Sequence, residues 1–331
     1  MTAAPEPMDI AAEDPDRFYF YCRRRKAEDS AAEILTGLRQ MPKSIPPKYF
    51  YDSEGAALFD RITALPEYYL TRTEREIFRK HGEEMAEAAG RGRMLIEPGS
   101  GSSEKVELLL DALKPDVYVP LEITESHLLN ASRHLVSRYP WLTVHAVCDD
   151  YSDGIELPEA LPDGQRLLFF PGSTIGNFEP DQAARFLKHL HRACGDDGAV
   201  LIGVDLRKDS DILTAAYNDS ESITARFNLN VLDHVNRLTR GNFEPRRFRH
   251  SAFFNERESR IEMHLESLES QRVTLAGEDF HFARGERIHT ENSYKYTVSG
   301  FRALAGSVGF RPRHTWCDPN QWFSVHLLEA G

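Results

Sequence analysis

Between residues 93 and 204 the chain alternates short, uninterrupted apolar runs with stretches whose apolar residues recur every three or four positions. The runs at 93–97, 117–122, 142–147, 166–170 and 199–204 predict five strands, and apolar runs this short without alternation fit strands buried on both faces. Helices are predicted between them. Val106, Leu109, Leu110 and Leu113 fall on one helical face, a second helix is expected at 125–136, and Ala183, Phe186, Leu187 and Leu190 mark a third over 181–194. Buried strands alternating with helices predict an α/β fold built on a doubly wound, mostly parallel sheet.

Both flanks change character. Before the block come Pro46 and Pro47, a group of aromatic residues and a helix expected from about 73 to 89, with Thr73 and Glu76 forming a capping box. After it, 209–238 reads as helical and 248–273 as strands of alternating polarity, Arg260 to Leu265 among them. These flanks predict a second, α+β domain. The stretches 309–316 and 322–328 read as two strands joined by a turn at 317–321 that return to the sheet and close it. The expected organisation is a flexible N-terminal extension over 1–30, a core from 70–206 and 297–331, and a second domain from 31–69 and 207–296.

Charge narrows the choice of partner. With 52 Asp and Glu against 40 Lys and Arg the net charge is −12, which argues against nucleic acid and anionic membrane. No apolar run approaches the roughly 20 residues of a membrane span. The basic run at 23–26 is flanked by acids and reads as a solvated segment. No apolar stretch follows a basic start, so a cytoplasmic monomer with reduced thiols is expected. Cys22, Cys148, Cys194 and Cys317 are far apart in sequence and predict neither a metal knuckle nor a redox pair; no metal is expected.

Chemistry enters where the first of these strands ends, at Glu97-Pro98-Gly99-Ser100-Gly101-Ser102-Ser103-Glu104-Lys105. Glycines at a strand-to-helix turn let backbone N–H groups approach a nucleotide-like ligand. A dinucleotide fingerprint would place a small residue where Glu104 stands. Glu97 would repel phosphates and attract an amine or a sulfonium, and S-adenosylmethionine carries both. Glu122 ends the second of the strands, where a carboxylate can accept from both ribose hydroxyls. Asp150 ends the third and can accept from an adenine amino group while the Tyr151 ring packs on the base. After the fourth comes Pro171-Gly172-Ser173-Thr174-Ile175-Gly176-Asn177, where a methyl acceptor should sit, with Asn177 offering donor and acceptor together. In such sheets ligands bind at the carboxyl ends of the strands, which makes the series a candidate site.

The residues 48–52, 65–69, 97–105, 172–177, 227–231, 260–263 and 290–293 together resemble the ergothioneine-pathway L-histidine Nα-methyltransferases, from about Leu35 to the C-terminus. The resemblance implies a class I methyltransferase-like fold and an enzyme that uses S-adenosylmethionine three times on L-histidine, yielding hercynine. It places Glu97, Gly99, Gly101, Lys105, Glu122, Asp150 and Tyr151 at the cofactor. Tyr68, Asn177, Tyr217, Glu291 and Ser293 fall on histidine-binding positions, and Tyr51, Gly172 and Met263 lie near the amine or the ring. Asn177 and Tyr217 are expected to hold the substrate carboxylate, and Glu291 and Ser293 the imidazole nitrogens. Pro98 replaces the family's Leu, Glu122 its Asp and Tyr151 its Phe; Asn292 between the ring-binding residues bears on substrate choice.

The amine must be unprotonated at each attack. Tyr51 and Tyr68 are candidates to receive its proton, although an ordinary tyrosine pKa of about 10 suits hydrogen bonding better than full base catalysis. Aromatic faces tolerate the growing ammonium at about 0.5 to 2 kcal/mol each. Two other readings follow from the same residues. One is an N-methyltransferase of another, tryptophan-like amino acid; the other is a nucleotide-binding oxidoreductase or binding module, which the glycine turn and sheet alone would support.

Overall fold

The structure is a computed structural model and describes residues 16–23 and 27–331. Its elements begin with strand β1 (Phe18–Cys22), helix α1 (Ala27–Arg39), the short β2 (Lys43–Ser44), α2 (Ser53–Thr63) and α3 (Tyr69–Ala89). The alternating block follows as β3 (Met94–Pro98), α4 (Glu104–Leu113), β4 (Val117–Glu122), α5 (Glu125–Arg138), β5 (Thr143–Cys148), β6 (Arg166–Phe170), α6 (Pro180–Cys194) and β7 (Ala199–Asp205). Next are α7 (Ser210–Ala215), α8 (Ile223–Thr239), β8 (Phe248–Asn255), β9 (Arg260–Ser267), β10 (Gln271–Leu275), β11 (Glu278–Phe282) and β12 (Arg287–Tyr294). The chain closes with α9 (Val298–Ser307), β13 (Phe310–Cys317) and β14 (Phe323–Ala330).

The chain divides into two compact units, the first of residues 16–23, 73–206 and 296–331, the second of 27–72 and 207–295. The first unit holds an eight-stranded sheet in the order β1-β5-β4-β3-β6-β7-β14-β13. Strands β1, β5, β4, β3, β6 and β7 are mutually parallel, whereas β14 runs antiparallel to both β7 and β13. This is the expected doubly wound, mostly parallel sheet, with the two C-terminal strands adding to it. All five residues of β3 and all seven of β7 are buried, which explains their lack of polar alternation. From β3 the chain winds outward to β4 and β5, then returns to β6 on the other side. That reversal puts the glycine turn at the switch point of the sheet.

Phe18–Cys22 falls inside the expected N-terminal extension and is instead an edge strand pairing with β5 from Phe18↔Val144 to Cys22↔Cys148. Its aromatic residues account for this. The Tyr19 ring stacks on His145 at 4.5 Å, and the Tyr21 hydroxyl meets His145 Nδ1 at 3.1 Å. The remainder of that expectation, 1–15 and 24–26, lies outside the described residues. Of the basic run, Arg23 pairs with Asp149 at 3.3 Å and with Glu156.

The second unit is α+β, with a four-stranded sheet in the order β2-β12-β9-β8, the hairpin β10-β11, and helices α1, α2, α7 and α8. Two expected helices differ from those found. Helix α3 starts at Tyr69 because Tyr69 and Leu70 extend its buried face, so Thr73 and Glu76 lie inside it and form no capping box. The stretch 209–238 is broken between α7 and α8, where the Asp219 carboxylate accepts the N–H groups of Ile223 and Thr224, both at 2.7 Å. A side chain that captures backbone donors in this way ends one helix and starts the next.

Candidate active site

The first unit carries the cofactor-side candidates at its strand ends. Gly99 and Gly101 have φ of +73° and +52°, the left-handed region glycine tolerates. A Cβ at Gly99 would collide with the Tyr151 hydroxyl, while one at Gly101 would meet nothing within 4 Å. The turn is therefore packed on one side and open on the other. The N–H groups of Gly99 and Ser100 donate to Leu121 O at 2.8 and 3.1 Å, tying the turn to β4.

Glu97 is fully buried and accepts from the Tyr118 hydroxyl, which also meets Ser103 Oγ at 3.3 Å. Burial pushes its carboxyl up to about 8 against the opposing pulls of Tyr118 and Lys105. The acid expected to stand ready as a carboxylate is thus neutral at pH 7, the cost of desolvating the charge outweighing its partners. A raised carboxyl is a source of stability that is whole below its unfolded value near 4.5 and is lost as pH climbs through 8. The loss is on the order of 4 kcal/mol over that window. Glu97→Gln should therefore grow more stable relative to the wild type from pH 5 to pH 8, read by denaturant unfolding of both proteins. A constant difference would contradict this.

Glu122 lies at the end of β4. Its Oε2 accepts from the Gly101 N–H at 3.1 Å, and its Oε1 from those of Ile123 and Thr124 at 2.9 and 3.1 Å. The carboxylate is thereby held beside the open edge of the glycine turn. Asp150 caps the short turn Tyr151–Asp153 by accepting the Ser152 N–H at 2.9 Å. That turn places the Tyr151 ring edge-on to Phe170 at 6.3 Å. Burial first, then the charges of Glu122 and Asp150, raise the Tyr151 hydroxyl, which stays protonated beside these acids. An open turn flanked by carboxylates fits a cationic, ribose-bearing cofactor such as S-adenosylmethionine, and none of these groups is built for phosphate.

One residue of this unit escaped the sequence reading. Glu74 on α3 is fully buried; its Oε2 pairs with Lys105 Nζ at 2.7 Å and its Oε1 accepts the Gly172 N–H at 2.7 Å. It ties α4 to the loop after β6. Gly203 makes room, since a Cβ there would collide with the Glu74 carboxylate. Asn177 ends the turn Thr174–Asn177 of that loop, whose Ser173 Oγ accepts from the Asp205 N–H at 2.8 Å. Removing one partner of a buried pair costs about 3 to 5 kcal/mol, and Lys105, being partly exposed, can turn to water, which favours the lower end. Glu74→Leu is expected to lower the unfolding free energy by about 3 kcal/mol. Denaturant titration showing less than about 1 kcal/mol would count against the pair's importance.

The second unit holds Tyr51, Tyr68, Tyr217, Met263, Glu291 and Ser293 of the residues assigned to the amino acid, whereas Gly172 and Asn177 belong to the first. Strand β12 pairs Glu291 with Met263 and Ser293 with Ile261 of β9, and its register shifts between His289 and Glu291, leaving Thr290 as the extra residue. Thr290 fills its place by donating to Asn228 Oδ1 at 2.8 Å. The bulge sets which face Glu291 and Ser293 share, and bulges often re-aim side chains in this way near sites. Asn292 lies between them on the opposite face, where its Oδ1 meets His289 Nε2 at 2.8 Å.

Glu291, Ser293, Met263, Tyr217 and Tyr68 are all buried. Burial pushes the Glu291 carboxyl up to about 7, with Lys295 opposing. The Tyr217 hydroxyl donates to Ser293 Oγ at 2.8 Å. Tyr68 packs edge-on against Tyr217 and Phe59, while Tyr51 packs edge-on against Phe59 and Phe227, all with centroids between 5.7 and 6.3 Å. Lys295, which the sequence reading passed over, is buried beside Ser293. Its signal was the i, i+2, i+4 spacing of Glu291, Ser293 and Lys295 on one strand face.

The pairing of β1 with β5 also brings two cysteines together that sequence distance had separated. Cys22 and Cys148 are free thiols, and with Glu125 their ligand atoms lie within 4.8 Å of one another. Spacing along the chain, on which the expectation of no metal knuckle and no redox pair rested, does not reveal this proximity. Among the described residues no helix is long and apolar enough to cross a membrane.

The profile of the family described as histidine-specific methyltransferase, SAM-dependent, matches residues 30–330. A histidine N-alpha-methyltransferase of Mycolicibacterium smegmatis is 41% identical over 313 residues, covering 91% of this chain and 96% of its own. One from Mycobacterium tuberculosis is 39% identical, covering 89% and 93%. Ergothioneine biosynthesis protein 1 of Neurospora crassa is 32% identical over 87% of this chain and 33% of its own. The chain therefore belongs to the histidine-specific, S-adenosylmethionine-dependent methyltransferase family.

Proposed function

We propose that this enzyme transfers methyl groups from S-adenosylmethionine to the α-amine of L-histidine, three in succession, giving hercynine for ergothioneine formation. The observation that carries the acceptor is the buried pair on β12, an acid and a hydroxyl two residues apart on one face. An imidazole ring presents the matching pair of nitrogens.

The cofactor supplies a methyl group made electrophilic by the sulfonium. Glu122 and Asp150 are assigned to its ribose hydroxyls and adenine amino group, Gly99 and Gly101 to close backbone approach, and Lys105, Tyr151 and Glu97 to the rest of its cradle. A cationic ligand beside Glu97 favours ionisation of that carboxyl, so the buried acid can serve as its counter-charge.

For the amino acid, Glu291 and Ser293 hold the ring and Met263 packs beside it, while the Tyr217 hydroxyl gives its one proton to Ser293 Oγ and leaves the carboxylate to Asn177. Gly172 and Asn177 are assigned to the acceptor's amine and carboxylate. Alignment of amine and methyl carbon at about 3 to 3.5 Å supplies much of the rate, so these residues act chiefly by orienting. Tyr51 and Tyr68 are assigned to accept a hydrogen bond from the amine as its proton leaves, and their rings to border the trimethylammonium product, which has no N–H left to bond. Incubation with labelled S-adenosylmethionine and each of the 20 amino acids tests the proposal. Label in histidine alone, reaching three methyls by mass, is expected. Label in tryptophan or in no amino acid would overturn it.

A further inference from the structure

Lys295 directly follows β12 and continues its alternation, so its side chain shares a face with those of Glu291 and Ser293. It is only 4% exposed. Its Nζ donates to Ser293 Oγ at 2.7 Å and to the Tyr217 hydroxyl oxygen at 3.3 Å, and the Tyr217 hydroxyl donates in turn to Ser293 Oγ at 2.8 Å. The ammonium also lies over the Tyr217 ring, 5.1 Å from its centroid.

A serine hydroxyl has two acceptor lone pairs and one proton. At Ser293 both lone pairs are engaged, one by an ammonium that can only donate. What remains is donation of its own proton. We propose that Lys295 is a positioning residue that fixes Ser293 as a hydrogen-bond donor, so that the Ser293 hydroxyl and the Glu291 carboxylate together select a neutral imidazole with one bare nitrogen and one N–H. The inference rests on the reading of Glu291 and Ser293 as ring partners and extends it to the protonation state and hydrogen-bond polarity of the ring. An imidazolium carries two N–H groups, and the second would face a hydroxyl with no lone pair left to accept it. A ring without a bare nitrogen would leave the Ser293 proton without a partner, at the cost of a buried unpaired donor. Lys295 thus shapes ring choice without touching the ring, and its charge also favours the ionised form of Glu291 against burial.

The test uses the full-length enzyme with three acceptors: L-histidine, thiazolylalanine, which keeps a bare ring nitrogen and lacks the N–H, and pyrrolylalanine, which keeps the N–H and lacks the bare nitrogen. Both analogues are taken in each ring attachment. Lys295→Met removes the donor at nearly constant length. It is expected to raise KM for histidine and thiazolylalanine by about tenfold relative to pyrrolylalanine, with kcat changed far less and KM for S-adenosylmethionine unchanged. Lys295→Gln retains an N–H donor and should bring the histidine KM most of the way back. Ser293→Ala should shift the thiazolylalanine-to-pyrrolylalanine preference in the same direction.

Equal losses on all three acceptors in Lys295→Met would overturn the proposal, because the residue would then act on what the amino acids share or on the fold. A shift in Ser293→Ala without one in Lys295→Met would overturn it too, while sparing the assignment of Ser293. No shift in Ser293→Ala would remove the underlying reading of the ring site. Should Lys295→Met not fold, the wild-type complex with S-adenosylhomocysteine and ring-15N histidine decides. One protonated and one bare nitrogen at pH 7 are expected, and two protonated nitrogens would contradict the proposal.

Discussion

Glu291→Ala is expected to cut kcat/KM for L-histidine by about 10- to 100-fold while leaving phenylalanine-like acceptors nearly unaffected. An imidazole N–H that loses its only acceptor in a closed pocket costs about 1 to 3 kcal/mol, and sites built around such a bond reject ligands that cannot make it. The same carboxyl gives a pH signature. Its value is raised to about 7, so at pH 6 it is mostly protonated and accepts only weakly through its carbonyl oxygen, and at pH 8 it is mostly ionised and accepts strongly. The ratio of kcat/KM for histidine to that for phenylalanine should therefore rise from pH 6 to pH 8. Deprotonation of the α-amine, common to both acceptors, cancels in the ratio. Part of the rise comes from the histidine ring itself, with an ordinary pKa near 6.5, and only that part should survive in Glu291→Ala. Relative kcat/KM values that match the wild type at every pH would remove Glu291 from the ring site.

Glu122→Ala is expected to weaken S-adenosylmethionine binding by about a hundredfold without altering which amino acid is accepted. Hydrogen bonds to a charged group contribute about 1.5 to 3 kcal/mol each, and a ribose offers this carboxylate two hydroxyls. The variant also releases the N–H groups of Gly101, Ile123 and Thr124, so the glycine turn loses its brace as well as its ligand contact. Titration calorimetry with S-adenosylmethionine reads the affinity directly. Full affinity in the variant would mean that the ribose lies elsewhere.

The sheet was legible in the sequence because strands buried on both faces leave uninterrupted apolar runs, and helices between them leave a 3.6-residue stripe. β1 was not, since an aromatic run near a polar terminus looks the same whether it is a tail or an edge strand until His145 is there to stack on it. The helix break after α7 depended on Asp219 taking two backbone donors, a choice made locally that periodicity does not record. At the site, the strand-end acids followed from position alone. Glu291 and Ser293 owed their assignment to family resemblance, because the bulge at Thr290 that aligns them has no signature in a single chain. Glu74 was hidden in a helix full of charges; only burial and the space left by Gly203 set it apart from its solvated neighbours. Glu97 was legible as an acid at the turn, but the rise of its pKa was not, because burial rather than residue type decides it.

Histidine methylation at these residues requires that the two small molecules lie against Glu122 and Glu291. A crystal structure of the enzyme with S-adenosylhomocysteine and L-histidine tests this most directly. The expected density has the imidazole between the Glu291 carboxylate and the Ser293 hydroxyl, and both ribose hydroxyls on Glu122. A histidine ring bound away from β12, or a ribose that leaves Glu122 bonded only to its own backbone amides, would contradict it.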